Sequence, residues 1–128
     1  MIDHTGLKVS KAKVSGKFYQ SALAPLRYEL LMEIPVEHTG GVIVLGYGVP
    51  PKPDFWIAEG PPNDPRIHIA FRAENRKQVD QFYKAALAAG GRDNGAPGPR
   101  PHYHENYYGA FVLDPDGHNI EAVCHDPA

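Results

Sequence analysis

Apolar and polar positions along the chain run through one programme twice. Residues 2–9 alternate loosely and carry β-branched side chains, the pattern of a half-buried strand. Ser10 stands where a helix N-cap would. Over residues 11–24, Val14, Phe18, Ala22 and Leu23 fall at helical spacing, with Lys11, Lys13, Lys17 and Gln20 on the other side. Pro25 ends that helix. Short apolar runs at 28–34, 42–45 and 54–58 predict three strands. The turn His38-Thr39-Gly40-Gly41 and a Gly/Pro-rich loop at 46–53 separate them. A proline-rich linker at 60–65 follows, and the programme restarts. Residues 67–73 read as a strand and 75–89 as a helix with Val79, Phe82, Tyr83, Ala86 and Leu87 on one face. Gly90-Gly91 stops the helix. Strands are then expected at 92–94, 107–113 and 118–124, the last two joined by the tight turn Asp114-Pro115-Asp116-Gly117.

A single ungapped offset of 64 residues relates the two halves. It lays His4 on His68, Phe18 on Phe82, Tyr19 on Tyr83, Ala22 on Ala86 and Leu23 on Leu87. Small and apolar residues repeat on helix faces by chance; a Phe-Tyr pair and a histidine at one offset argue for internal duplication. The chain therefore reads as one α+β domain of two βαβββ modules, residues 1–59 and 66–128, facing each other across a shared site.

Composition narrows the function classes. At 128 residues the chain is long enough to bury a core. Its formal charge of −2, with both signs mixed, gives no reason to expect nucleic acid or an anionic membrane surface as partner. No run approaches the roughly 18–20 apolar residues of a membrane span, and the first twenty residues lack the apolar centre of a signal peptide. Cys124 is the only cysteine, which fits a reducing compartment, and a cytoplasmic location is expected.

His4, His68 and Glu121 form the candidate constellation. Two neutral imidazoles and a carboxylate can hold a divalent ion and leave positions open for water or substrate. Duplication would bring both histidines to one centre, and Glu121 lies on the last strand. The bland alternative is a packed core histidine in each apolar strand. Glu121 argues against it, because a carboxylate between Ile120 and Ala122 needs a partner. The position equivalent to Glu121 is Ile57, so the fourth place holds no carboxylate; Glu59 shares its strand parity. The segment Pro101-His102-Tyr103-His104-Glu105-Asn106-Tyr107-Tyr108 reads as a substrate loop. Tyr108 and His104 are its expected proton donors or acceptors, and His102 and Tyr107 its expected substrate contacts; binding of a second metal by His102, His104 and Glu105 is the lesser reading. Trp56 would wall the pocket or join the core. His118 is expected to face solvent or support the turn, and His125 shares parity with Glu121.

The stretches Ile2-Asp3-His4-Thr5-Gly6-Leu7, His68-Ile69-Ala70-Phe71 and Asp114-Pro115-Asp116-Gly117-His118-Asn119-Ile120-Glu121 resemble the vicinal oxygen chelate superfamily of glyoxalase I, bleomycin-resistance proteins, fosfomycin-resistance enzymes and extradiol dioxygenases. The resemblance spans essentially the whole chain. It implies sheets forming a cupped, partly open eight-stranded barrel around a metal, with ligands at His4, His68 and Glu121. It also implies a small substrate chelated through neighbouring oxygens, and a homodimer. Zinc, iron, manganese, nickel and cobalt all suit such a site. The glutamate that completes the glyoxalase I site is missing, which counts against glyoxalase I isomerase activity and makes the set more similar to the dioxygenase and fosfomycin-type sites; the chemistry implied is of the lyase/isomerase or extradiol-oxygenase kind. Metal-free sequestration of a ligand or antibiotic, as in the bleomycin-resistance members, stays open as the alternative.

Overall fold

A computed structural model describes all 128 residues. The first module comprises β1 (Thr5–Val9), α1 (Ala12–Leu23), β2 (Glu29–Ile34), β3 (Val44–Gly48) and β4 (Phe55–Glu59). The second comprises β5 (His68–Arg72), α2 (Arg76–Ala88), β6 (Arg92–Pro99), β7 (Tyr108–Leu113) and β8 (Asn119–Cys124). Each module builds its own four-stranded sheet. The order is β1-β4-β3-β2 in one and β5-β8-β7-β6 in the other. In both, the first strand runs parallel to the last and the remaining neighbours are antiparallel. The sheets stay open, as a cupped α+β fold requires.

Alternation along the strands decides which side of each sheet is covered. On β8, Ile120, Ala122 and Cys124 are buried with Ala110 and Val112 of β7 and with Val79, Phe82 and Ala86 of α2. On the first sheet, Leu7, Val9, Leu45, Tyr47, Phe55 and Ile57 are buried with Phe18, Tyr19, Ala22 and Leu23 of α1. The helices thus cover one face of each sheet, and the opposite faces carry the polar side chains discussed below.

Local chemistry departs from expectation at the start of α1. Ser10 does not cap α1. Its backbone N–H and hydroxyl both donate to the Asp116 carboxylate in the second module, at 2.9 and 2.5 Å. Lys11 takes the cap position with no side-chain bond, and the first helical N–H, on Ala12, is met by Glu59 Oε2 at 3.0 Å. Glu59, the residue closest to a fourth carboxylate ligand, is occupied there. On α2, Asn75 accepts from the Gln78 N–H at 2.9 Å, and Gly90 ends the helix at φ +101°, where a side chain would be strained. β6 is longer than the short strand expected at 92–94. It continues through the Gly/Pro-rich residues to Pro99, with register shifts on either side of Gly95.

The modules clasp through an aromatic chain and a buried polar strip. Ring centroids step from Tyr19 to Phe55 (5.0 Å), from Phe55 across the module boundary to Phe71 (5.1 Å), and on to Tyr28 (5.3 Å). Beside them His118, expected to face solvent or support the turn, is fully buried. Its Nδ1 accepts from the Ile67 N–H at 3.0 Å and its Nε2 donates to the Lys8 carbonyl at 2.8 Å, which ties β1 to the entry of β5. Asp114, also buried, accepts from the Tyr19 hydroxyl (2.5 Å) and from the N–H groups of Asp116 and His118 (2.9 and 2.8 Å).

Burial of phenols makes this interface sensitive to alkali. Desolvation, reinforced by Asp114, pushes the Tyr19 phenol well above its usual range; desolvation alone pushes Tyr47 up to about 12, and desolvation with Asp54 raises Tyr28. The unfolded chain loses these protons near pH ~10, so above that pH the folded state binds more protons and stability falls as pH rises. Urea unfolding at several pH values is expected to show a midpoint flat from neutrality to about pH 9.5 and falling beyond it. A midpoint unchanged through pH ~11 would contradict the assignment.

Candidate metal and substrate site

Glu121 lies on the face of β8 opposite Ile120 and Ala122, yet is only 1% exposed. A carboxylate buried this way must be bonded. Its Oε1 meets His68 Nε2 at 2.9 Å, and its Oε2 accepts a short hydrogen bond from the Tyr107 hydroxyl. Sheet register produces the first contact. Glu121 pairs with Ala70 across the parallel β5–β8 ladder, which leaves His68 one alternation away on the same face. A glycine permits the second: a Cβ on Gly109 would lie 3.2 Å from the Tyr107 ring and 3.3 Å from Glu121 Oε2, tight against both. Desolvation and then Glu121 raise the Tyr107 phenol above its ordinary range, so it keeps its proton at neutral pH. Phe111 flanks His68 at 6.3 Å between ring centroids, and the Arg100 guanidinium lies over Phe111 at 5.6 Å.

His68 is not the core residue that its apolar run suggested; half of its side chain is exposed (51%). It lines a cleft of about 400 Å³ together with His4, Tyr28, Asp54 and Arg72. His4 precedes β1 and is also exposed. Its Nδ1 bonds Asp3 Oδ1 at 2.7 Å, and Asp3 is held in turn by Lys52, whose ammonium keeps the Asp3 carboxyl below its ordinary range. An imidazole that gives its Nδ1–H to a carboxylate has a bare Nε2, the tautomer a metal ligand needs. On its other side His4 borders an open recess of about 660 Å³ walled by Trp56, Val44, Lys52 and Pro53.

The donor set suits a divalent ion in part. His68 Nε2 and Glu121 Oε1 stand side by side, 2.9 Å apart in a hydrogen bond whose place an ion held by both would take. His4 faces the same cleft, but no three His, Cys, Asp or Glu side chains converge as they stand.

The other residues singled out from sequence divide. Tyr108 is directed away from Glu121. Its hydroxyl donates to Asp80 of α2 at 2.7 Å, and Arg76 stacks over its ring at 4.8 Å. Successive strand residues face opposite ways, so the phenol at Glu121 belongs to Tyr107. His104 bonds not Glu121 but His125, Nε2 to Nδ1, at 2.9 Å, while its ring stands 5.1 Å from that of Tyr107. His102 packs on Tyr103 at 4.3 Å, and Tyr103 on Tyr107 at 4.9 Å. The sequence reading missed Asp3 and Lys52 behind His4, and Arg100 over Phe111. The Asp3-His4 dipeptide was the available signal for the first; nothing local marked the others.

Comparison with known proteins agrees with this architecture. No curated protein matches significantly. Among solved structures, a glyoxalase/bleomycin resistance protein from Albidiferax ferrireducens superposes with a TM-score of 0.73 at 24% identity, over 97% of this chain and 98% of that one. A glyoxalase/bleomycin resistance protein/dioxygenase family enzyme from Burkholderia phytofirmans gives 0.70 at 18% identity, over 98% of both chains. Glyoxalase I from Zea mays gives 0.65 at 18% identity, over 99% of this chain but 45% of the maize chain. The Glyoxalase/Bleomycin resistance protein/Dioxygenase superfamily model matches residues 1–122. The chain, with its two open βαβββ modules, belongs to that superfamily.

Proposed function

We propose that the protein is a metal-dependent enzyme that takes a small substrate through two neighbouring oxygens, with His4, His68 and Glu121 as the ligands of a divalent ion. The observation that carries this reading is the buried Glu121 carboxylate, set against His68 on a cleft that His4 also lines. Zinc, iron, manganese, nickel or cobalt would supply Lewis acidity toward a developing oxyanion or enolate. The protein's own groups do the rest. Asp3 fixes the tautomer of His4. Tyr107 holds a proton at its phenol oxygen beside Glu121, and takes the proton-handling role expected of Tyr108. Trp56 walls the recess next to His4, and the stack from His102 through Tyr103 shields Tyr107. A homodimer belongs to the same proposal; Leu30 and Met32, exposed on the edge strand β2, offer it an apolar strip.

One observation favours a second reading, a metal-free protein that sequesters a ligand: His4 is turned to Asp3 and the three donors do not meet. Cobalt titration of the chelator-treated His125→Ala protein, which lacks the His104–His125 pair, separates the two. The enzyme reading expects d–d absorption that saturates and is lost in His4→Ala and in His68→Ala. A spectrum indifferent to both substitutions would favour sequestration.

A further inference from the structure

A second pair of histidines lies outside the cleft. His104, in the loop before β7, and His125, just past β8, bring Nε2 and Nδ1 to 2.9 Å. The tautomer of His104 is set by its neighbour, because its Nδ1 faces the Glu105 carbonyl and must donate to it. That leaves a lone pair on His104 Nε2, which accepts the Nδ1–H of His125 at 2.9 Å. A ring N–H given to a backbone carbonyl is the arrangement that orients metal-bound histidines. An ion that displaces the His125 ring proton would take the place of this hydrogen bond between the two rings, and paired imidazole nitrogens suit zinc, copper(II) and nickel(II).

We propose that His104 and His125 form a separate site for a divalent transition ion of this class, which clips the segment after β8 to the loop before β7. Both rings are exposed, so water can complete the coordination. The clip bears on Tyr107, whose ring stands edge-on to both imidazoles, at 5.1 Å from His104 and 5.4 Å from His125. An ion there would fix the two rings that stand against Tyr107. His102, which packs on Tyr103, takes no part.

The test is calorimetric titration of the full-length Glu121→Gln chain with nickel(II) alone, a background that removes the cleft carboxylate. His125→Ala, His104→Ala and His102→Ala are each added to it. One equivalent is expected to bind, with Kd raised at least about tenfold by His125→Ala and by His104→Ala and unchanged by His102→Ala. Circular dichroism of the His125→Ala chain, altered at an exposed position, checks that the fold is kept. No binding in the starting chain, an affinity unmoved by either His104→Ala or His125→Ala, or an equal loss with His102→Ala overturns the proposal. Because Glu121 is already replaced, each outcome is independent of whether the cleft holds a metal.

Discussion

Replacing Glu121 with glutamine is expected to leave the protein folded and to remove its metal-dependent chemistry. The amide has nearly the shape of the carboxylate, and its oxygen can still accept from Tyr107 or His68. Buried position and strand packing are unchanged, so the unfolding midpoint should move little. The anionic donor is lost, and with it a ligand that histidines alone do not replace. Loss of groups that merely orient a ligand costs 10–100-fold in metal affinity, so loss of the ligand itself should cost at least about 10²-fold. Tyr107 also changes. Its phenol loses the anion that helps hold its proton, so its ionisation should move down toward the usual range. Difference absorbance of phenolate in parent and variant measures that shift. An unshifted titration would place Tyr107 away from Glu121.

The second large effect is on stability. Asp114→Ala is expected to destabilise the fold by about 3 kcal/mol or more, read from urea unfolding. Three donors depend on this carboxylate: the Tyr19 hydroxyl from α1 and the N–H groups of Asp116 and His118. Each buried donor left without a partner costs about 1–3 kcal/mol. The damage should spread, because the same turn positions Asp116 against Ser10 and His118 against Lys8, the polar ties between modules. Asp114→Asn keeps one acceptor oxygen for the two N–H groups and should recover part of the loss. A destabilisation of Asp114→Ala below about 1 kcal/mol would show that the aromatic chain alone joins the modules.

The fold was legible from sequence because its determinants are local and repeated. Phe18 and Tyr19 recur as Phe82 and Tyr83 at one offset, and the apolar strand runs sit at the same places in each module. What escaped depends on how one module meets the other. His118 follows a turn glycine and reads as solvent-facing or turn-supporting, and its bond to Lys8 shows only when β1 is laid beside it. Ser10 looks like a helix cap until Asp116 arrives from 106 residues away. At the site, the choice between Tyr107 and Tyr108 turned on strand phase. A one-residue slip sends every side chain to the other face, and two adjacent tyrosines give the pattern nothing to choose by. His104 and His125, 21 residues apart, meet only because β7 and β8 are neighbours.

The proposed chemistry of the cleft depends on a metal ion held through Glu121. Elemental analysis of untagged protein, purified without chelator and prepared as His125→Ala so that only the cleft is counted, tests it most directly beside the same chain carrying Glu121→Gln. Close to one equivalent of a divalent transition ion is expected in the first and little in the second. Equal metal in both, or none in either after ions are added back, would contradict it.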